Sequence, residues 1–149
     1  MTLAFFGCFR LGELCPSDGV AFSPAMHLCL SDITLNEQDL VLTVFLKRSK
    51  TDVHNSGVNV YIGCSRDTQC CAFCSMKKYL VFRNTLQITD EDSPLFLVPG
   101  GTILTKNYMV SVTRLLLSIT GNDPSLFSGH SYRAGAATSA ATVRFGSGS

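Results

Sequence analysis

Apolar residues alternate with period two only between Leu28 and Ile62, and beyond Ile62 they return at every third or fourth position. That switch constrains the fold most, because strand side chains change face at every residue while helical ones return after about 3.6. It predicts an α+β fold, mainly helical, with one small sheet in the first half of the chain. Leu28–Ile33 is the first strand candidate, followed by the polar turn Asn36-Glu37-Gln38-Asp39. In the next run Leu40, Leu42, Val44 and Leu46 share one face, and after the turn Asn55-Ser56-Gly57 the segment Val58–Ile62 alternates again. Three short strands joined by tight polar turns make a three-stranded antiparallel sheet.

The helical periods lie on either side. Leu3–Leu14 is apolar on nearly every face and reads as one buried helix carrying Arg10 and Glu13, ended by Cys15-Pro16-Ser17-Asp18-Gly19. Gly7 and Gly12 count against it, each costing about 1 kcal/mol relative to Ala in a helix interior. Asp67 is a candidate N-cap for a helix running to about Asn84, with Gln69, Phe73, Met76 and Leu80 at helical spacing. Thr105 opens another, in which Tyr108, Val112, Leu115, Leu116 and Ile119 form an apolar stripe ended by Gly121-Asn122. The last helix begins near His130 or Ser131, and its small residues Ala134, Gly135, Ala136, Ala137, Ala140 and Ala141 predict close packing against a neighbour.

With 46% apolar and 15% charged residues, the 149-residue chain has material for one core. Residues 1–145 are read as a single domain, and Gly146-Ser147-Gly148-Ser149 as a linker or expression scar. A net charge of +1 lacks the broadly basic footprint of a typical nucleic-acid-binding domain, so any DNA contact has to be local. No apolar run approaches the roughly 18 residues of a membrane span, so no membrane partner is expected. Seven cysteines, at positions 8, 15, 29, 64, 70, 71 and 74, are odd in number and irregular in spacing. That argues against a disulfide framework and for a reducing compartment.

Three basic features stand out: Arg10 in an apolar segment, Lys50 in the hairpin between two strands, and His130-Ser131-Tyr132-Arg133 at the start of the last helix. A guanidinium among apolar residues needs a partner, and an i, i+3 pair with Glu13 is the plainest one. His130 and Arg133 lie one turn apart near a helix N-terminus, where free backbone amides favour anions, although a histidine there can equally be a simple cap. Two Arg, a Lys and a His at one point suit a phosphodiester. Arg forks grip the non-bridging oxygens, and Lys or His donates a proton to a leaving oxygen.

Taken together, these segments resemble a family. Ala4–Leu14 is similar to the segment bearing the first catalytic Arg of tyrosine recombinases, the phage-integrase-like enzymes. Lys47-Arg48-Ser49-Lys50-Thr51-Asp52 resembles the hairpin with their catalytic Lys, and Gly129–Thr138 resembles their His-x-x-Arg box. The three occur in the family's order, and their wording is closest to the recombinases of eukaryotic mobile elements of the DIRS and Crypton types. The resemblance implies a catalytic-domain fold in which Arg10 and Arg133 clamp the scissile phosphate. Lys50 is then the general acid, His130 assists at the phosphoryl centre and Glu13 supports the site. It also implies metal-free strand cleavage and rejoining in DNA recombination or integration, with no cofactor. The implied partners are double-stranded DNA and further recombinase protomers in a synaptic assembly, and the implied location is the nucleus.

The pattern also departs from the family. A nucleophilic Tyr is expected well downstream of the His-x-x-Arg box, but none of the sixteen residues after Arg133 is Tyr, His or Trp. Tyr132 points about 100° away from Arg133 around a helix and takes the place of a packing aromatic. The reading is therefore of a partial catalytic domain, C-terminally truncated, with no nucleophile in this chain and no strand cleavage by it alone. Two alternatives stand beside it. One is a non-catalytic DNA-binding remnant using Lys47, Arg48, Lys50, Lys77, Lys78 and Arg83 as its basic surface; type IB topoisomerases also use a similar basic set. The other is a zinc-stapled interaction module built on Cys70-Cys71-Ala72-Phe73-Cys74 with Cys64 and His54 nearby. Against zinc, no second Cys or His pair follows within twenty or so residues, and cysteine is a common buried apolar residue, so no metal is expected.

Overall fold

The computed structural model describes residues 1–48, 56–67 and 70–145, the last three as backbone only. The element order is α1 (Thr2–Phe6), α2 (Leu11–Leu14), β1 (Ile33–Asn36), β2 (Val41–Leu46), β3 (Val58–Gly63), α3 (Ala72–Thr85), α4 (Lys106–Ile119) and α5 (Ser131–Phe145). The strands form one antiparallel sheet in the order β1-β2-β3, with Val44 opposite both Ile33 and Val60. The predicted alternation holds, since Leu42, Val44 and Leu46 are buried while Leu40 sits in the turn with a positive φ of 55°. The first strand starts later than expected. Leu30–Asp32 is a 3-10 turn because the Asp32 carboxylate accepts from the Cys29 backbone N–H at 2.7 Å and holds the chain out of the extended state.

The buried face of the sheet packs against Ala72, Phe73 and Met76 of α3 and against Leu95. Fully burying a side chain of the size of Leu42 or Val44 stabilises by about 1.5–3 kcal/mol. The expected cap at Asp67 is displaced to Cys71, whose side chain accepts from the Cys74 backbone N–H; Asp67 instead accepts from the Cys70 N–H in the preceding turn. Arg83 closes the core beneath α3. The residue is 1% exposed and pairs with no carboxylate among the described residues, but its guanidinium donates to the carbonyls of Leu95, Ile88 and Pro94 and to Ser93 Oγ. It therefore staples the 86–97 segment to α3 and is not part of a DNA-facing surface.

The predicted single helix Leu3–Leu14 is two helices. Between them Cys8 has a φ of 51°, and a Cβ on Gly7 would overlap the Phe9 ring, which folds back into the core. Arg10 is consequently the extended N-cap of α2 rather than a mid-helix residue. On α4 the expected apolar stripe faces outward, with Tyr108, Leu115, Leu116 and Ile119 exposed, while Met109 and Thr113 make the buried contact. The cap at Thr105 is as expected and accepts from the Tyr108 N–H. α5 meets α1 along one flank only. Gly135 comes against Phe5, Ala136 is buried, and Ala134, Ala137, Ala140 and Ala141 are exposed.

Candidate active site

The break after α1 decides where Arg10 points. Its backbone N–H donates to Glu13 Oε2 at 2.8 Å and its Nη1 to Glu13 Oε1 at 3.0 Å, so one carboxylate caps α2 and orients the guanidinium. The ion pair is the i, i+3 partnership that the sequence suggested, and both groups line a cleft of about 490 Å³. The other walls come from distant segments: Met26, His27 and Leu28 before the sheet, Leu46, Lys47 and Arg48 at the end of β2, Lys106 at the start of α4, and Gly129 and His130 before α5. Among the described residues the lining thus brings together Arg10, Lys47, Arg48, Lys106, His27 and His130 with one carboxylate, Glu13, while Asp32 pairs with Lys47.

Each wall has its own local cause. Lys47 is drawn inward by Asp32 Oδ2 at 2.7 Å, the Pro24 carbonyl at 2.7 Å and Cys29 Sγ at 3.2 Å. Burial opposes its charge, yet the bonds to Asp32 and Cys29 outweigh burial and hold its pKa above the ordinary lysine value. His27 accepts from the Ser23 backbone N–H at Nδ1, at 2.9 Å, which places the ring proton of the neutral form on Nε2, and the ring stacks on Phe22. His130 is set by the turn before α5, where Ser131 Oγ accepts from the Ser128 N–H and Ser128 Oγ from the His130 N–H. Lys106 reaches the cleft because its backbone N–H donates to the Pro16 carbonyl at the start of α4. Among the described residues the side chains of Lys106, His130 and Arg133 make no ion pair.

Of the residues chosen from sequence, Arg10, Glu13 and His130 are brought together in the cleft. Arg133 is exposed on the first turn of α5 and does not line it, since three residues along a helix carry a side chain about 4.5 Å up the axis. Lys50 lies outside the described residues. Sequence reading missed His27 and Lys106, for which neither period nor spacing gave a signal. It placed Lys47 only on a DNA-facing surface, whereas Lys47 is paired in the cleft wall; Lys77 of that same surface pairs with Glu37 at 2.7 Å. Tyr132 is half-buried, stacks edge-on against Phe127 and has its hydroxyl 2.8 Å from Thr113 Oγ1.

No family model matches the chain. An integrase/recombinase xerD homolog from Selenomonas ruminantium is 30% identical over 145 residues, covering 93% of this chain and 37% of that protein. The crystal structure of the XerH site-specific recombinase bound to difH substrate, a pre-cleavage complex, superposes with a TM-score of 0.62 at 19% identity. That match covers 97% of this chain and 34% of XerH, so the chain spans little more than a third of either protein. The architecture of the described residues, mainly helical around a small three-stranded antiparallel sheet, is the tyrosine recombinase fold.

Proposed function

We propose that the chain is part of a tyrosine recombinase and that its cationic cleft holds a DNA phosphodiester for site-specific recombination. The observation that carries this reading is that Arg10, from the first dozen residues, and His130, from the last twenty, line one cleft together with Lys47, Arg48 and Lys106. Arg10 grips a non-bridging oxygen, held in orientation by Glu13, and Arg133, exposed on the first turn of α5 outside the cleft lining, takes the second arginine's place from the His-x-x-Arg resemblance. His130 hydrogen-bonds the phosphoryl group, and Lys50 protonates the departing 5′ oxygen. Pre-placed cations stabilise the charge that builds on a phosphorane, and this chemistry needs no metal. Double-stranded DNA and further protomers of a synaptic assembly are the partners of this reading. The wording of the Lys50 hairpin and the His-x-x-Arg box supports its finer form, a eukaryotic mobile-element recombinase acting in the nucleus.

The nucleophile of the family reaction is a tyrosine, and no tyrosine follows Arg133 in this sequence. Tyr132 is a packing residue in this reading, because its hydroxyl is committed to Thr113. The test is incubation with a nicked duplex that traps phosphotyrosyl linkages, followed by denaturing electrophoresis. A complex that shifts DNA under native conditions and leaves no adduct after denaturation is expected. An adduct that disappears in Tyr132→Phe overturns the assignment of Tyr132.

A further inference from the structure

Outside the cleft, three cysteines from two elements meet. Cys64 directly follows β3, its backbone N–H donating to the Leu40 carbonyl at 2.9 Å, so the end of the sheet fixes its position. Cys71 is the N-cap of α3, and Cys74 lies in that helix's first turn. Cys64 Sγ is 3.5 Å from Cys71 Sγ and 3.8 Å from Cys74 Sγ, and all three sulfurs lie within 4.8 Å of one another. None is in a disulfide. We propose that Cys64, Cys71 and Cys74 form a zinc site that pins the start of α3 to the end of β3, with water in the fourth position.

The spacing carries the argument. A disulfide needs its sulfurs at about 2.05 Å. A tetrahedral ion with zinc–sulfur bonds of about 2.3 Å sets its ligand sulfurs about 3.8 Å apart, which is the separation of Cys64 and Cys74 and close to that of Cys64 and Cys71. Two backbone amides are already aimed at the sulfurs: Cys74 N–H donates to Cys71 Sγ at 3.5 Å and Arg66 N–H to Cys64 Sγ at 3.4 Å. Such bonds stabilise the thiolate form that a metal requires, as does the N-terminal end of the 14-residue helix α3. Cys71 is buried, whereas Cys64 and Cys74 are half-buried, so an ion seated on the three sulfurs keeps a solvent-facing position for water. The sequence argument against zinc looked for a second ligand pair downstream of Cys71-x-x-Cys74. The third sulfur comes instead from upstream, carried there by the end of β3.

The site is independent of the phosphodiester reading, since none of its residues lines the cleft. The test uses the whole chain, reduced and stripped of metal, titrated with Co²⁺ and then with Zn²⁺. A thiolate-to-cobalt charge-transfer band saturating at one equivalent and lost on adding zinc is expected, as is its loss in Cys64→Ser, Cys71→Ser and Cys74→Ser but not in Cys8→Ser. Because a serine variant can fail to fold, alkylation of the unaltered protein followed by peptide mass mapping gives a second readout. Zinc should shield Cys64, Cys71 and Cys74 and leave Cys8 and Cys70 reactive. Absence of the one-equivalent band, shielding of other cysteines, or a disulfide among the three in protein isolated without reductant overturns the proposal.

Discussion

The Glu13 carboxylate holds Arg10 at two points, the backbone N–H at 2.8 Å and Nη1 at 3.0 Å. One side chain therefore fixes both where α2 begins and where the guanidinium points. Glu13→Ala removes both bonds and should destabilise the chain by about 1 kcal/mol, the usual value of a lost cap. It should also weaken DNA binding, although Glu13 is itself an anion. Glu13→Gln keeps an acceptor for the backbone and should retain most of the stability. Paired chemical denaturation and DNA titration of the two variants separates the capping role from the orienting one.

Tyr132 and Thr113 join α5 to α4. Thr113 Oγ1 also lies 2.8 Å from the Met109 carbonyl, so its single proton goes there and the Tyr132 hydroxyl donates to Thr113. Tyr132→Phe should cost about 0.5–1.5 kcal/mol in denaturant unfolding and leave DNA affinity unchanged. A variant as stable as the parent but unable to bind DNA would give Tyr132 a role in the cleft.

The buried Arg83 guanidinium satisfies four acceptors, three of them carbonyls from residues 88–95. Arg83→Ala removes the donor to the Ile88 and Pro94 carbonyls, while Leu95 keeps the Tyr79 hydroxyl and Ser93 keeps Asp90, and should destabilise by about 1–3 kcal/mol. In conditions where the variant remains folded, its affinity for DNA should match the parent's. A selective loss of DNA binding with full stability would return Arg83 to the binding surface.

Burial raises the pKa of both Tyr79 and Tyr132 above the ordinary tyrosine value, opposed at Tyr79 by the hydrogen bond from the Leu97 N–H. A phenol whose folded pKa lies above its unfolded value contributes stability that is whole below the unfolded pKa and is lost as pH rises through the folded one. Stability should therefore fall above about pH 10. Tyr79→Phe should flatten that alkaline limb, which unfolding at a series of pH values measures.

The sheet was legible in the sequence because period two admits few other readings: the face of Leu42, Val44 and Leu46 is buried as the alternation required. The α1–α2 break was not, because it depends on Phe9 folding over Gly7, a tertiary contact between residues that also fit a helix. The α4 stripe misled for the opposite reason. Tyr108, Leu115 and Ile119 have a helical period, but a period does not say which face meets the core, and here Met109 and Thr113 do. At the site, Arg10 and His130 were found through motif order, whereas His27 and Lys106 reach the cleft only through the folding of separate loops.

The central claim, that this cleft holds a DNA phosphate, is tested most directly by the salt dependence of duplex binding. Anisotropy titrations across a salt series, for the parent and for Arg10→Ala, His130→Ala and Arg133→Ala, give the slope of log Kobs against log salt. The parent should bind weakly with a steep negative slope, and each arginine variant should bind less tightly with a slope shallower by about 1. His130→Ala should also lose affinity, because it removes a hydrogen bond to the phosphoryl group. Parent-like affinity and slope in both Arg10→Ala and Arg133→Ala would contradict the account.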